Sequence, residues 1–270
     1  MAIPNVTLSQ GIHVMHVFHR VNRVRWAALG SGESAAAKAN LGRLCAANPG
    51  PGHPRLCTYA NVGGKADLAF MLYHADLAGL GAMHRALEAC FPPGTLEPVY
   101  SYLSVTELTE YMSTEEDVIA RLKGEGLQPG SEPFEKRLGE EKRRLDDYKQ
   151  FRLYPELEDW EAMGFYPMNK RRDLSDNWYM LDAVTRKKLM AGHARVGRKY
   201  HGRVSQLITG SVGLDDWEWG VTLIAHQVDA LKEIVYEMRF DEVSARYGEF
   251  GPFYVNLRLD PADLWDHLRL

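Results

Sequence analysis

Hydrophobic residues along this chain change period several times, and each change predicts an element. HVMHVFHR (13–20) alternates as a strand does, with successive side chains on opposite faces. Trp26 to Ala47 has the Ala- and Leu-rich composition of a helix despite Gly30 and Gly32. RLCTYANVGGKADLAFMLYHA (55–75) holds two strand-like runs around Gly63-Gly64, a hairpin signal. In DLAGLGAMHRALEAC (76–90), Leu77, Leu80, Met83 and Leu87 recur at spacings of three and four, which predicts an amphipathic helix. EPVYSYLSVTELTEYM (97–112), rich in aromatic and β-branched residues, closes a βαββαβ series as a strand.

The same order returns after residue 150. GFYPM (164–168) reads as a strand, and DNWYMLDAVTRKKLMAGHARVGRKY (176–200) as a helix capped by Asp176 or Asn177. RVSQLITGSVGLDDWEWGVTLIAH (203–226) is a hairpin turning around Gly210 to Asp216. DALKEIVYEMRF (229–240) is a helix and ARYGEFGPFYVNL (245–257) a final strand. The expected fold class is α+β: two tandem ferredoxin-like halves, 1–112 and 151–270, whose sheets pack face to face or curve into a dimeric α+β barrel-like unit. Such an arrangement leaves a crevice between sheet and helices for a ligand. The charged stretch 113–150, interrupted by Gly124, Gly126, Pro129 and Gly130, reads as a solvated linker with a loose helix over Glu135 to Tyr148, or as a mobile lid.

Composition narrows the class without choosing a function. With 45% hydrophobic and 25% charged residues the chain is an ordinary globular protein, and a net charge of -4 argues against a strongly basic nucleic-acid binder. No run approaches the roughly 18–20 apolar residues of a membrane span. The opening MAIPNVTLSQGIHVMHVF lacks a basic leader and a useful apolar stretch, so a cytoplasmic protein is expected. Cys45, Cys57 and Cys90 are odd in number and without a CxxC, and read as small buried hydrophobes.

Charge distribution changes this picture. Phe165 to Val204 holds ten Lys or Arg against three Asp, a pattern that suits a solvated helix face or an anionic small molecule. At its start stands FYPMNKRR, where alternation puts Tyr166, Met168 and Lys170 on one face and Phe165 and Pro167 on the other. An ordinary core strand would not place a phenol, a thioether and an ammonium side by side. No HExxH, Walker A loop, GxSxG or GxGxxG is present, and GSGES (30–34) lacks the P-loop lysine. LDDWEWG (214–220) reads as a solvated turn ahead of a hard-cation site. His193 shares a helix face with Leu189, Met190 and Val196, as a core histidine does. A lone imidazole also suits a group that brings its other ligands with it, such as haem. Gln206, on the next strand with Val204 and Ile208, satisfies a neighbouring backbone group or faces a cofactor. Arg239 and Ser244 bracket RFDEVS, normal for a helix end and equally suited to a carboxylate.

YSYLSVTEL, GFYPMNKRRD, DNWYML, GRKYHGRVSQLITGSVGLDDWEWGVTL and YEMRFDEVSARYGEFGPFYV together resemble the coproheme decarboxylases of the chlorite dismutase family, of the Gram-positive type with a distal tyrosine. The resemblance is dense from about Phe151 to Val255 and thinner over residues 1–110, where GGKADLAF is its best anchor. It implies a homopentamer that acts on coproheme, iron-coproporphyrin III, with hydrogen peroxide as oxidant. Two propionates become vinyls and the product is haem b, so the substrate is also the redox cofactor. Tyr166 falls on the family's radical-forming tyrosine and Lys170 on the lysine that attracts the propionate, with Met168 between them. His193 falls on the proximal iron ligand and Gln206 on the distal residue, where true chlorite dismutases carry an arginine. The propionate-binding set falls on Tyr111, Arg152, Arg239 and Ser244. Transient contact with the coproporphyrin ferrochelatase is implied, and no membrane or nucleic-acid partner. The competing expectations are a chlorite dismutase or weak haem peroxidase, and a haem carrier or sensor that uses His193 for binding alone.

Overall fold

In β1 (His13–Val21) one row of alternating side chains, Val14, His16 and Phe18, and the opposite row, Val17, His19 and Val21, are both buried. A strand buried on both faces must lie between two layers, and the architecture follows from that. The computed structural model describes residues 4–270. After β1 come α1 (Arg23–Ala27), α2 (Ser31–Ala47), β2 (Arg55–Val62), β3 (Leu68–His74), α3 (Leu77–Ala89) and β4 (Leu96–Val105). Two helices, α4 (Glu115–Gly124) and α5 (Glu132–Leu153), lead to β5 (Ala162–Lys170), α6 (Ala183–Arg198), β6 (Val204–Gly210) and β7 (Trp219–Ala225). The chain ends with α7 (Val228–Met238), α8 (Glu242–Tyr247), β8 (Gly248–Phe250), β9 (Tyr254–Arg258) and α9 (Pro261–Leu268).

The α+β class and the duplicated ferredoxin-like order are as expected. The antiparallel sheet runs β7-β6-β4-β1-β3-β2-β9-β5-β8, and because β5 also pairs with β7, every strand but β8 joins a closed barrel. The two halves meet at two seams. At one, β2 and β9 pair over four positions, and Asn61 donates to the Asn256 side chain at 2.7 Å. At the other, β4 and β6 share only Val105↔Gly210. Side chains of the following turn lengthen that seam: Asp215 accepts from the Leu103 N–H at 2.9 Å and Ser211 donates to the Leu103 carbonyl.

The barrel interior is filled from both halves. Phe18 stacks on Tyr254 at 4.1 Å and His16 on Phe165 at 4.2 Å, with Tyr102 beside them. Outside, α2, α3 and α9 cover the first half over Val17, Leu56, Leu68 and Phe70, while α7 covers the second over Ala162, Tyr166, Val221 and Leu223. Among the described residues no helix is long and apolar enough to cross a membrane. Cys57 and Cys90 are buried, Cys45 is partly so, and all three are free thiols.

Several elements differ from their sequence patterns. The helix expected over Trp26–Ala47 breaks at Gly30, which becomes the N-cap of α2 with Glu33 accepting from its N–H at 2.9 Å. The helix expected from Asp176 starts at Ala183, because Asn177 caps only a 3-10 turn (Trp178–Met180) and Asp182 caps α6. The strand expected over 245–257 is split into α8, β8 and β9: Asp241 accepts from the N–H groups of Val243 and Ser244 and starts a helix there. The strand expected over 97–112 ends at Val105, leaving Tyr111 in a loop. The stretch 113–150 holds two well-formed helices that share a small core of Val118, Leu122 and Phe134, with Arg121 paired to Glu141 at 3.1 Å. The turn read as solvated, 214–220, is tied down, with Glu218 buried and its carboxylate accepting from the Lys170 N–H at 2.9 Å.

Candidate functional site

The site is built where α6 packs against α7 and α8 and touches β6 at Gln206. On α6 the half-buried residues are Thr185, Arg186, Leu189, Met190, Gly192, His193, Val196 and Gly197, one helical face, and no residue of the helix is fully buried. Leu189 and Met190 pack on Trp178, Val243 and Tyr247, with Tyr111 at the edge, its ring 6.3 Å from Trp178. One turn on, His193 Nδ1 lies 3.0 Å from Asp241 Oδ2. A further turn on, the Gly197 carbonyl accepts from Gln206 Nε2 at 3.3 Å.

Asp241 organises this end of the site. It caps α8, and its Oδ2 also accepts from the Ser244 hydroxyl at 3.0 Å. Burial pulls its pKa up, but hydrogen bonds from His193 and Ser244 hold the carboxyl below the usual range. An aspartate accepting at Nδ1 leaves Nε2 of a neutral imidazole with a free lone pair, the arrangement in which histidine binds a metal. Among the described residues no second histidine or cysteine joins it, so the donor set fits an iron whose other ligands come from elsewhere.

β5 supplies a second set of side chains, in the layer covered by α7. Its partner on one side changes from β9 at Phe165 to β8 at Met168, and Pro167 falls in the gap, where no ladder donor is needed. Phe165 points into the barrel, while Tyr166 and Met168 face the helices. Tyr166 is 5% exposed, its ring 4.5 Å from that of Phe253. Burial raises its pKa far above the normal phenol value, opposed by the Arg239 charge. Lys170 is 8% exposed, with Nζ 4.7 Å from the Trp178 ring. Burial lowers its pKa to about 8 against the pull of Asp241 and Glu218. The Arg239 guanidinium lies over the Phe250 ring at 3.8 Å.

Tyr166, Met168, Lys170, His193, Gln206, Arg239, Ser244 and Tyr111 thus line one layer outside the barrel of the second half. Arg152 stands apart, donating to the Glu107 carbonyl at 3.3 Å near the β4–β6 seam, with its buried Nε lacking a partner. The arrangement offers an imidazole backed by a carboxylate, a protonated phenol, a titratable amine and one arginine, Arg239, free of ion pairs among the described residues. This chemistry suits a metal-bearing polyanion.

The family model for chlorite dismutase matches residues 35–259. The chain belongs to the chlorite dismutase family. Over 99% of its length and 98% of the other's, it is 39% identical to a protein of Thermus thermophilus described as a novel heme-binding protein, with a TM-score of 0.79. The fold also matches the chlorite dismutase of Candidatus Nitrospira defluvii in complex with imidazole, at 15% identity over 97% of both chains and a TM-score of 0.70. A doubly substituted mutant of that enzyme matches at 15% identity over 97% of this chain and 98% of the other, with a TM-score of 0.70.

Three residues that touch the predicted site residues were not among them: Asp241, Trp178 and Glu218, the last read only as part of a solvated turn. Asp241 lay inside RFDEVS, and a signal for it was present: Asp is a preferred N-cap residue, and Glu242 follows in the first turn. Trp178 and Glu218 carry no local signal, because the aromatic face and the carboxylate meet Lys170 only after the sheet has formed.

Proposed function

We propose that the protein is a hydrogen-peroxide-dependent coproheme decarboxylase, which converts iron-coproporphyrin III to haem b. The observation that carries this reading is the row of Tyr166, Met168 and Lys170 on the helix-facing side of β5, in the layer that also holds the His193–Asp241 pair. The description of the Thermus relative as heme-binding supports a haem-type ligand. The neutral amide of Gln206, where chlorite-splitting members are expected to carry an arginine, speaks against chlorite as substrate.

Bound coproheme supplies the iron that takes oxidising equivalents from hydrogen peroxide. His193 holds that iron through Nε2, with Asp241 fixing the tautomer. Tyr166, protonated because burial raises its pKa, gives up a hydrogen atom and as a radical takes one from the β-carbon of a propionate. A second electron would pass to the same peroxide-derived oxidant as the carboxyl group departs as carbon dioxide. Each propionate carboxylate, one peroxide and one proton become a vinyl group, carbon dioxide and two waters. Lys170 pairs with the carboxylate about to react, and Tyr111, Arg239 and Ser244 hold the others, joined by Arg152 once its side chain leaves the Glu107 carbonyl. Charge-assisted hydrogen bonds of this kind contribute about 1.5–3 kcal/mol each. The same reading carries a homopentamer, a cytoplasmic location and transient contact with the coproporphyrin ferrochelatase.

Incubation with ferric coproporphyrin III and peroxide should yield a three-propionate intermediate and then haem b by mass spectrometry. Oxygen release from chlorite instead would identify a chlorite dismutase. The relative's description also favours a second reading, a haem carrier, which predicts stoichiometric uptake with no mass change under peroxide. Tyr166→Phe with full activity would remove the mechanism but leave the substrate.

A further inference from the structure

The first half holds a second cluster of metal-ligating side chains, remote in sequence from every residue of the candidate site. His19 sits on the outer row of β1 with Val17 and Val21, facing α3. Here β4 carries a bulge: Phe18 pairs with Tyr100 and His19 with Pro98, so Val99 is the extra residue. Bulges re-aim neighbouring side chains, and this one opens a groove of about 610 Å³ lined by His19, His84, Glu88, Tyr100, Asp215 and Asp216. His84 and Glu88, one turn apart on α3, approach to 3.9 Å. One ligand atom each of His19, His84 and Glu88 fall within 4.8 Å of one another.

We infer that His19, His84 and Glu88 bind a first-row divalent transition-metal ion, of which zinc is the natural probe. A surface His–Glu pair at i,i+4 is common and by itself means little. The decisive residue is His19, only 3% exposed, with a buried Nδ1 that has no hydrogen-bond partner. Buried polar atoms are normally satisfied, and an aliphatic residue would complete the Val17–Val21 row without desolvating a ring. Apart from the Phe70 ring, edge-on at 6.1 Å, the groups gathered at this imidazole are a second imidazole and a carboxylate.

Two imidazoles with one carboxylate select zinc or iron(II) over calcium or magnesium, which take oxygen ligands. Zinc held at about 2.0–2.1 Å in a tetrahedron sets its ligand atoms roughly 3.4 Å apart. Closing from 4.8 Å needs only small movements of the two helix side chains, both partly exposed and free to turn. The protein supplies three ligands, and water from the groove completes the shell. Binding clamps α3 onto β1.

The test is a zinc titration of the metal-stripped, full-length, porphyrin-free protein by calorimetry, repeated with cobalt(II) to follow d–d absorption. One ion per chain is expected, and neither magnesium nor calcium should compete. His84→Ala and Glu88→Gln, at partly exposed positions, should each weaken zinc at least tenfold with an unchanged circular dichroism spectrum. His193→Ala should leave the stoichiometry at one, because that residue belongs to the other half. His19→Leu should abolish binding; if it fails to fold, the two α3 variants still decide. Zinc uptake that is not saturable at one per chain, or affinity in His84→Ala or Glu88→Gln within tenfold of the wild type, overturns the proposal.

Discussion

Replacing Lys170 with methionine should make the protein more stable while loosening its hold on an anionic substrate. The amine is 8% exposed, and burial lowers its pKa from 10.5 to about 8 even though Asp241 and Glu218 pull the other way. The interval from 10.5 down to about 8 converts to about 3 kcal/mol for keeping the proton in the folded state, at ~1.4 kcal/mol per pH unit. The Trp178 face, 4.7 Å from Nζ, returns about 0.5–2 kcal/mol of that. A methionine of similar length removes the penalty, so the variant should gain about 1–3 kcal/mol at pH 7.

Linkage fixes how this gain depends on pH. Below about pH 8 the amine is protonated in both the folded and the unfolded chain, and the penalty is present in full. Between about 8 and 10.5 the folded chain has released the proton while the unfolded chain keeps it, so wild-type stability climbs with pH and the lead of Lys170→Met shrinks. Urea unfolding of the porphyrin-free proteins at pH 7 and pH 10 measures both quantities. A variant less stable than the wild type at pH 7, or a lead undiminished at pH 10, refutes the reasoning. Coproheme titrations should show wild-type affinity falling as pH passes about 8, with that step absent from the variant.

Tyr166→Phe should bind coproheme with wild-type affinity by its Soret band and form no vinyl product under peroxide. Asp241→Ala should lose the α8 cap, about 1–2 kcal/mol by denaturant unfolding. Asp241→Asn should keep the cap but, like the alanine variant, raise the reduction potential of the bound iron by removing the negative charge behind His193, as spectroelectrochemistry would detect. His16, inside the barrel, is held neutral by burial with its pKa lowered to about 3. Between pH 6.5 and about 3 the unfolded chain takes up a proton that the folded chain refuses, so stability falls as pH falls. From pH 6.5 to 4, wild type should lose about 3 kcal/mol more than His16→Gln in urea unfolding, at ~1.4 kcal/mol per pH unit.

Much of this architecture was readable because it rests on local pattern. Strand alternation needs only period 2, and it grouped Tyr166, Met168 and Lys170 on one face of β5 before any partner strand was known. The duplicated βαββαβ order was readable for the same reason. Errors arose where capping decided the boundary. Asp182 in place of Asp176 moved the start of α6, and Asp241 turned the beginning of an expected strand into α8. The 113–150 stretch misled through its charges: Arg121 and Glu141 are far apart in sequence and meet only when α4 and α5 pack together. Closure of the barrel had no local signal either, since the β4–β6 seam depends on Asp215 and Ser211 reaching Leu103 from a turn that reads as solvent-exposed.

The duplication also explains why one half and not the other is suited to a planar ligand. In the first half, the helix after the opening strand is α2, anchored by buried Ala37 and Leu41 and covered by α9, whose Trp265 stacks on Trp26 at 5.3 Å. Side chains therefore fill the space between sheet and helix. The corresponding helix of the second half, α6, buries no residue completely and carries Gly192 and Gly197 on its inner face. Its contact with the sheet at Gly197 is a carbonyl accepting from the Gln206 amide, a single bond at 3.3 Å. On the proposed reading, a planar ligand entering beside Gln206 exchanges that bond, and moving the Gly197 end of a helix with no fully buried residue forfeits little hydrophobic area. Lys170, by contrast, sits on the sheet and need not move with α6, whereas Asp241, the N-cap of α8, holds α6 at the His193 turn through its 3.0 Å contact with Nδ1. The weak packing of α6 is thus the structural counterpart of the polar row on β5.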